Sequence, residues 1–373
     1  GTDNSIEKVG RYTSQGANDA NTEILPGREM PDPLSDLNLS LNAIWEIDIW
    51  KKLRNAKNSA VEKYLGTIDG RNFLITQLIS EIANSYYELM ALDNQLEILE
   101  KNLEIQQNAL EIVRLEKAAA RVTELAVKKF EAEVLKNQSR RFQILQQIIE
   151  TENRINFLTG RFPQPVTRNS KDFLATQPDS LQTGIPSQLL LNRPDIRRAE
   201  HELTATKFEL KSARAEFYPS LTIKSGIGFQ AFNVKYLLEA PQSLMYSLAG
   251  DLIGPIINRT AIKANFLNAN AKQIQAAYEY ERSILNGFTE VSNQLANINN
   301  LKNNFNFKEK QVQALVESIE ISNLLFKSAR ADYMEVLMTQ RDALEAKFEL
   351  IETKKQQMNA MVNMYKALGG GWQ

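Results

Sequence analysis

Side chains able to do covalent chemistry are almost missing from this chain. It has no cysteine, which removes thiol catalysis, disulfides and thiolate metal sites. Its single histidine, His201, stands among charged residues on a helical pattern and reads as a surface residue. Catalytic triads and multi-histidine metal sites therefore have nothing to build on. Nucleophile, base and orienting group cannot be assembled, and no cofactor is called for. With 44 Lys+Arg against 45 Asp+Glu, the overall charge gives no reason to bind nucleic acid or an anionic membrane surface. What remains is non-covalent: polar and apolar side chains in alternation. Leu37, Leu39 and Leu41 interleave with Asn38, Ser40 and Asn42, and Leu221, Ile223, Ile227 and Phe229 with Thr222 and Lys224. Such segments are strands with one apolar and one polar face. Arg11 to Gly16 and Ser243 to Gly250 are weaker strand candidates, giving about four strands in all.

The elements that position these strands are long helices. Residues 71–159 and 288–368 contain neither glycine nor proline, the main helix breakers. Helices are expected over roughly 48–117 and 256–326, each turning back as a shorter helix. At ~1.5 Å per residue, a seventy-residue helix reaches about 100 Å. Glycines 66 and 70 suggest a local bend in the first. Ile75, Leu78, Ile82, Leu89, Leu92, Leu96, Leu99, Leu103, Leu110 and Val113 keep a seven-residue pattern whose polar members are Ser85 and Gln106. That period implies left-handed supercoiling against a neighbour. Ile284, Val291, Ile298, Leu301, Phe305, Val312, Leu315 and Ile319 repeat it more weakly, with Gly287, Gln294, Lys308 and Ser322 as breaks.

The chain is internally duplicated. Glu81-Ile82-Ala83-Asn84 returns 209 positions later as Glu290-Val291-Ser292-Asn293. At the same offset Ala120-Arg121 returns as Ala329-Arg330, Val127 as Val336 and Gly160 as Gly369. The helix expected over Pro194–Phe217 has no counterpart, because that offset puts it before or just at the N-terminus. Together with Gly1, which is not a native start, this predicts a processed or truncated N-terminus lacking the first unit's opening helix.

Four strands cannot close a transmembrane barrel, whose minimum is about eight, and an open sheet has edges that lipid cannot satisfy. If these strands cross a membrane, several chains must share one barrel, and three chains would give twelve strands. Leu37, Leu39, Leu41, Leu221, Ile223, Ile227 and Phe229 would then face lipid, with Asn38, Ser40, Asn42, Thr222 and Lys224 lining the lumen. The same alternation also suits a half-buried hairpin in a soluble α+β protein.

Several motifs resemble the TolC-like outer-membrane efflux proteins, in the branch of NodT-like lipoproteins that serves RND-type pumps. They are Gly184-Ile185-Pro186-Ser187 followed by Leu189-Leu190 and Asn192-Arg193-Pro194-Asp195-Ile196-Arg197-Arg198-Ala199-Glu200; Ala215-Glu216-Phe217-Tyr218-Pro219-Ser220-Leu221; Trp45-Glu46-Ile47-Asp48-Ile49-Trp50; and Ala367-Leu368-Gly369-Gly370-Gly371-Trp372. They cover nearly the whole chain in order. Their physics reads as structural. Pro194 suits the first turn of a helix and Asp195 its positive end, Pro219 stops that helix before a strand, and the glycines end the last helix.

The resemblance implies a mostly α fold with a small β part: a long helical coiled-coil barrel plus about four transmembrane strands per protomer. It implies a homotrimer in the outer membrane of a Gram-negative cell, reaching into the periplasm. There it would conduct drugs or metal ions passively from an inner-membrane RND-type pump and its periplasmic adaptor, and it would not be an enzyme. Residues 1–47 and 219–255 would be barrel hairpins, 48–160 and 256–368 helical hairpins of the tunnel, 161–193 an equatorial linker, 194–218 a helix leading to the barrel and 369–373 a tail. A lipidated cysteine, frequent in the family, would lie in the absent N-terminal part.

The hairpin tips, which match the family's gate pattern, are Ala120–Val127 and Ala329–Leu337. Alanine replaces the family's tip glycine in both, which puts the turn geometry in question. Glu335 holds the family's acidic position, and three copies would ring the constriction with carboxylates that attract cations. Asp332, Glu124, Arg121 and Arg330 are the other gate candidates, the arginines as partners in ion pairs that hold the tips shut. Two rival readings remain: the duct of a type I protein-secretion system, and a soluble periplasmic coiled-coil adaptor.

Overall fold

The computed structural model describes residues 4–8, 35–176, 188–231, 233–255, 258–328 and 330–371. The strand candidate Arg11–Gly16, the Gly184–Ser187 motif, Ala329 and Trp372 lie outside these residues. In chain order the elements are β1 (Asn4–Lys8), β2 (Leu37–Ile47), α1 (Lys52–Ala118), α2 (Glu124–Leu158), α3 (Gln188–Asn192), α4 (Pro194–Ala215), β3 (Ser220–Ala231), α5 (Val234–Leu237), β4 (Leu244–Ile253), α6 (Arg259–Lys327) and α7 (Tyr333–Ala367). The fold is thus mostly helical with one small sheet. The duplication holds to the residue: shifted by 209, the end of α1 and both ends of α2 fall on the end of α6 and both ends of α7.

Two compact units divide the chain. The first, residues 1–65 and 200–279, holds a four-stranded antiparallel sheet of order β1-β4-β3-β2. Among the described strands only β3 and β4 form a hairpin. The expected first hairpin over 1–47 is not a pair of neighbours, since β1 pairs with β4 and β2 with β3. A tight hairpin needs a loop of a few residues, whereas residues 9–36 separate these strands, leaving them free to take opposite edges. Strand β1 itself, with the sequence Asn4-Ser5-Ile6-Glu7-Lys8, carries too short an alternation to be read in advance.

The second unit, residues 66–199 and 280–373, holds the helical hairpins. Its apolar core runs along the seam predicted for α1. Leu89, Leu92, Leu99 and Leu103 pack with Ile144, Ile148 and Ile155 of α2 and Leu344 and Phe348 of α7. Leu110 and Val113 continue it with Val127, Phe130, Val134 and Leu337. The polar seam member Gln106 is buried and accepts a hydrogen bond from Asn137 of α2 at 2.8 Å. A buried amide pair of this kind fixes coiled-coil register.

Candidate functional site

The register of the sheet sorts its side chains. Leu37, Leu39 and Leu41 stand opposite Ala231, Phe229 and Ile227, so the apolar residues of β2 and β3 share one face. β4 adds Tyr246, Leu248 and Leu252 there, opposite Ile227, Ser225 and Leu221. Asn38, Ser40, Asn42, Thr222 and Lys224 occupy the other face with Ser247 and Asp251 of β4; Ile44 of β2 and Met245, Ala249 and Ile253 of β4 are its apolar exceptions. Lys224 pairs there with Asp251. Leu39, Leu41 and Ile227 are 60, 79 and 58 % exposed. Among the described residues nothing covers this apolar face, although water is a poor solvent for it.

Two glycines let β2 and β3 approach closely on the polar face. A Cβ at Gly228 would lie 2.6 Å from Ser40 Cα and 2.4 Å from Leu39 O, and one at Gly226 would lie 2.7 Å from Asn42 Oδ1. Both glycines sit on the polar face, opposite Ser40 and Asn42. There β2 and β3 approach too closely for a side chain, as glycine permits. At about 3.3 Å per residue and a tilt near 45°, strands of this length span roughly 25 Å, the height of an outer-membrane apolar band.

At the exit of the sheet the Trp45–Trp50 motif builds a helix start. Glu46 pairs with Lys52 at 2.6 Å. Asp48 accepts the amides of Leu53 (3.0 Å) and Arg54 (2.8 Å) and the Arg54 guanidinium, satisfying amides that the first turn of α1 leaves free. Burial opposes the charge on Asp48, but these donors outweigh it and hold the carboxyl below its ordinary range. The Trp50 indole N–H donates to Pro219 O at 2.9 Å and stacks on Tyr218 at 4.6 Å. Two motifs far apart in sequence thus meet here.

The Asn192–Glu200 motif is likewise structural. Arg193 is 4 % exposed. It donates to both Asp195 oxygens (3.0 and 2.7 Å), to Glu290 (2.8 Å) and to Ala367 O (2.9 Å). One guanidinium thereby joins the start of α4 to α6 and the end of α7. Burial disfavours its charge, but the two carboxylates more than compensate and push its pKa up. Sequence reasoning picked out Pro194 and Asp195 and missed Arg193. It also missed Arg168, which ties the segment after α2 to Asp93 through two bonds (2.6 and 2.8 Å) and to Glu152 of α2.

Alanine does not prevent the tight turn at the first hairpin tip. Ala120 adopts φ 58°, the left-handed conformation that closes helices. Arg121 N–H reaches Glu116 O at 2.9 Å and Ala120 N–H reaches Lys117 O at 2.9 Å. In the second repeat Arg330 N–H reaches Leu325 O at 2.9 Å, at the equivalent position. Thr123 then caps α2 through Ala126 N–H at 3.4 Å, whereas Asp332 begins α7 without a side-chain cap. Glu335 is exposed in the first turn of α7. Glu124 pairs with Lys117, and that hydrogen bond lowers its pKa. Among the described residues of one chain, Arg121 and Arg330 make no ion pair. Lys129 of α2 donates to Met334 Sδ of α7 at 3.5 Å, so the two tips lie side by side.

The family model described as "Outer membrane efflux protein" matches residues 12–161 and 185–370. The chain belongs to the outer membrane efflux protein family. It is 28 % identical over 341 residues to the cation efflux system protein CusC of Escherichia coli O6:H1, covering 91 % of this chain and 73 % of that protein. It is 27 % identical over 343 residues to the pyoverdine export outer membrane protein OpmQ of Pseudomonas aeruginosa, covering 92 % and 72 %. A crystal structure of CusC superposes with TM-score 0.83 at 26 % identity, covering 99 % of this chain and 83 % of that one. The open-state MtrE channel of Neisseria gonorrhoeae superposes with TM-score 0.83 at 22 % identity, covering 100 % and 80 %, and supports the fold. The chain is therefore a TolC-like efflux duct of the outer membrane of Gram-negative bacteria, extending into the periplasm. Among the described residues no helix is long and apolar enough to cross a membrane.

Proposed function

We propose that three copies pool their sheets into one twelve-stranded barrel, with the apolar face toward lipid and the polar face around a water-filled lumen. The lumen would be lined by Asn38, Ser40, Asn42, Thr222 and Lys224. The lipid face would carry Leu37, Leu39, Leu41, Leu221, Ile223, Ile227 and Phe229. One observation carries this reading: among the described residues, a sheet of four strands with an exposed apolar face and two unpaired edges. Closure by copies of itself satisfies both edges at once.

The helical hairpins then line a periplasmic tunnel that receives small solutes, drugs or metal ions, from an inner-membrane pump and its adaptor. The duct conducts passively and performs no catalysis. Its inner end is gated at the tips by Glu335, Asp332, Arg330, Arg121 and Glu124. Residues 161–193 form the belt around the tunnel. The test is the oligomer mass of the detergent-solubilised protein together with its fractionation. A trimer in the outer-membrane fraction is expected, and a water-soluble monomer would refute the reading.

A further inference from the structure

The overall charge balance hides a local one. Residues 49–61 and 252–278 contain no acidic side chain, yet carry Lys51, Lys52, Arg54 and Lys57 in the first case and Arg259, Lys263 and Lys272 in the second. Both stretches follow a strand of the sheet, and Arg54 and Lys263 are repeat equivalents. Lys52 and Arg54 are engaged by Glu46 and Asp48. Lys51, Lys57, Arg259 and Lys263 are exposed and, among the described residues, make no ion pair.

These cations stand beside an amphipathic ledge. The stacked Trp50 and Tyr218 are each about half exposed, and Ile49 and Leu53 lie open next to them. Ile47, Trp50, Tyr218 and Ile262 line an open cleft of about 530 Å³. The cleft lining also holds Glu46, Asp48 and Glu216; Lys52 and Arg54 engage the first two, so the four exposed cations leave the junction with an excess of positive charge that favours an anionic partner. From Lys52 to Lys57 the helix rises about 8 Å, close to the depth of one headgroup layer.

We propose that the strand-to-helix junctions form a collar that binds anionic phospholipid headgroups, one station at Lys51 and Lys57 and one at Arg259 and Lys263. The collar rests on the barrel reading above, because it lies where the apolar face would leave the bilayer. Aromatic side chains anchor at that level, and lysine and arginine there attract lipid phosphate. Phosphatidylglycerol should bind the protein more tightly than phosphatidylcholine, less so at high salt.

The test is native mass spectrometry of the detergent-solubilised trimer, titrated with phosphatidylglycerol or with phosphatidylcholine of the same chains. The wild type should prefer phosphatidylglycerol. Lys51→Gln with Lys57→Gln, and Arg259→Gln with Lys263→Gln, should each weaken that preference at their station by roughly 20-fold, about fivefold per cation. Using two separate double variants guards against one that fails to assemble. Trimers that reach the outer membrane but show no preference, or keep it in both variants, overturn the collar and leave the barrel intact. A shift in ion selectivity in phosphatidylcholine bilayers, with lipid preference unchanged, would place these cations in the pore and also overturn it. If no outer-membrane trimer forms, the barrel reading fails and the collar falls with it.

Discussion

The two helical hairpins share their boundaries but not their surroundings. Helix α1 buries Leu89, Leu92, Leu99, Leu103, Leu110 and Val113 against α2 and α7. Helix α6, its repeat equivalent, contributes no side chain to the apolar clusters of the described residues. Instead it exposes Leu285, Phe288, Leu295, Phe307, Ile321 and Leu324. It is held to α7 by polar links: Gln357 donates to Leu301 O at 3.0 Å, Lys308 pairs with Glu349, and the Lys354 ammonium lies 5.0 Å from the Phe305 ring. The α6 seam is only half-buried at Ile284, Val291, Ile298, Phe305, Val312, Leu315 and Ile319 and buried at Leu301, and beside it runs this exposed apolar face. An exposed apolar face suits a helix that finishes packing on the next copy.

The largest expected effect separates the buried seam of α1 from the exposed apolar face of α6. Leu99→Ala removes a fully buried side chain and should cost about 2–5 kcal/mol, read as a lower denaturant midpoint of the folded chain. Phe288→Ala removes a ring that is 58 % exposed in one chain. It should leave the secondary structure of each chain intact and lower the temperature at which trimers dissociate. Equal loss of chain stability from both would mean that α6 is packed within the chain as well as α1 is.

A second contrast uses the repeat-equivalent glutamates. Glu290 is held by the buried Arg193, Glu81 by the exposed Arg154 at 2.8 Å. Arg193→Ala should cost roughly 2–3 kcal/mol, below the usual 3–5 for a broken buried pair because Glu290 itself is half exposed. Arg154→Ala should cost under about 1 kcal/mol. Thermal unfolding of the two variants side by side checks the ordering.

The glycines that end α2 and α7 give a third contrast. Gly160 and Gly369 have φ 70° and 84°. A Cβ at Gly160 would meet nothing within 4 Å, whereas one at Gly369 would lie 2.5 Å from Asn192 O. Gly160→Ala should cost about 1 kcal/mol from the left-handed backbone alone. Gly369→Ala should cost roughly 2–4 kcal/mol, since backbone must also shift. Ala120 is strained in the same sense, so Ala120→Gly should raise the unfolding temperature slightly.

Much of this architecture was legible because its signals are repeated. Glycine and proline punctuate the helices, the 209-residue offset checks each boundary twice, and strict alternation marks β2 and β3. The illegible parts depend on distant partners. Gly287 looks like a flaw in the α6 heptad, but a Cβ there would lie 3.1 Å from Arg193 Nε, so the missing side chain makes room for the buried guanidinium. Strand β1 is defined by its pairing with β4 rather than by its own pattern. The left-handed Ala120 broke the expectation of glycine because the rest of the turn, two backbone bonds and a Thr123 cap, fixes the geometry without it.

The smallest structural change should give the sharpest functional split between the repeats. Position 335 carries glutamate where its repeat equivalent, 126, carries a buried alanine. Only the second tip therefore offers an unpaired acid in its first helical turn. The first tip has Glu124, already neutralised by Lys117. In a threefold assembly Glu335→Ala removes three carboxylates from one constriction and should raise anion leakage through reconstituted trimers, with stability nearly unchanged. Glu124→Ala removes as many charges but also frees Lys117, so it should move selectivity toward anions less than Glu335→Ala does at low salt. Both differences should fade as salt screens them. Unchanged ion selectivity in Glu335→Ala would remove this residue from the gate and leave the two tips equivalent.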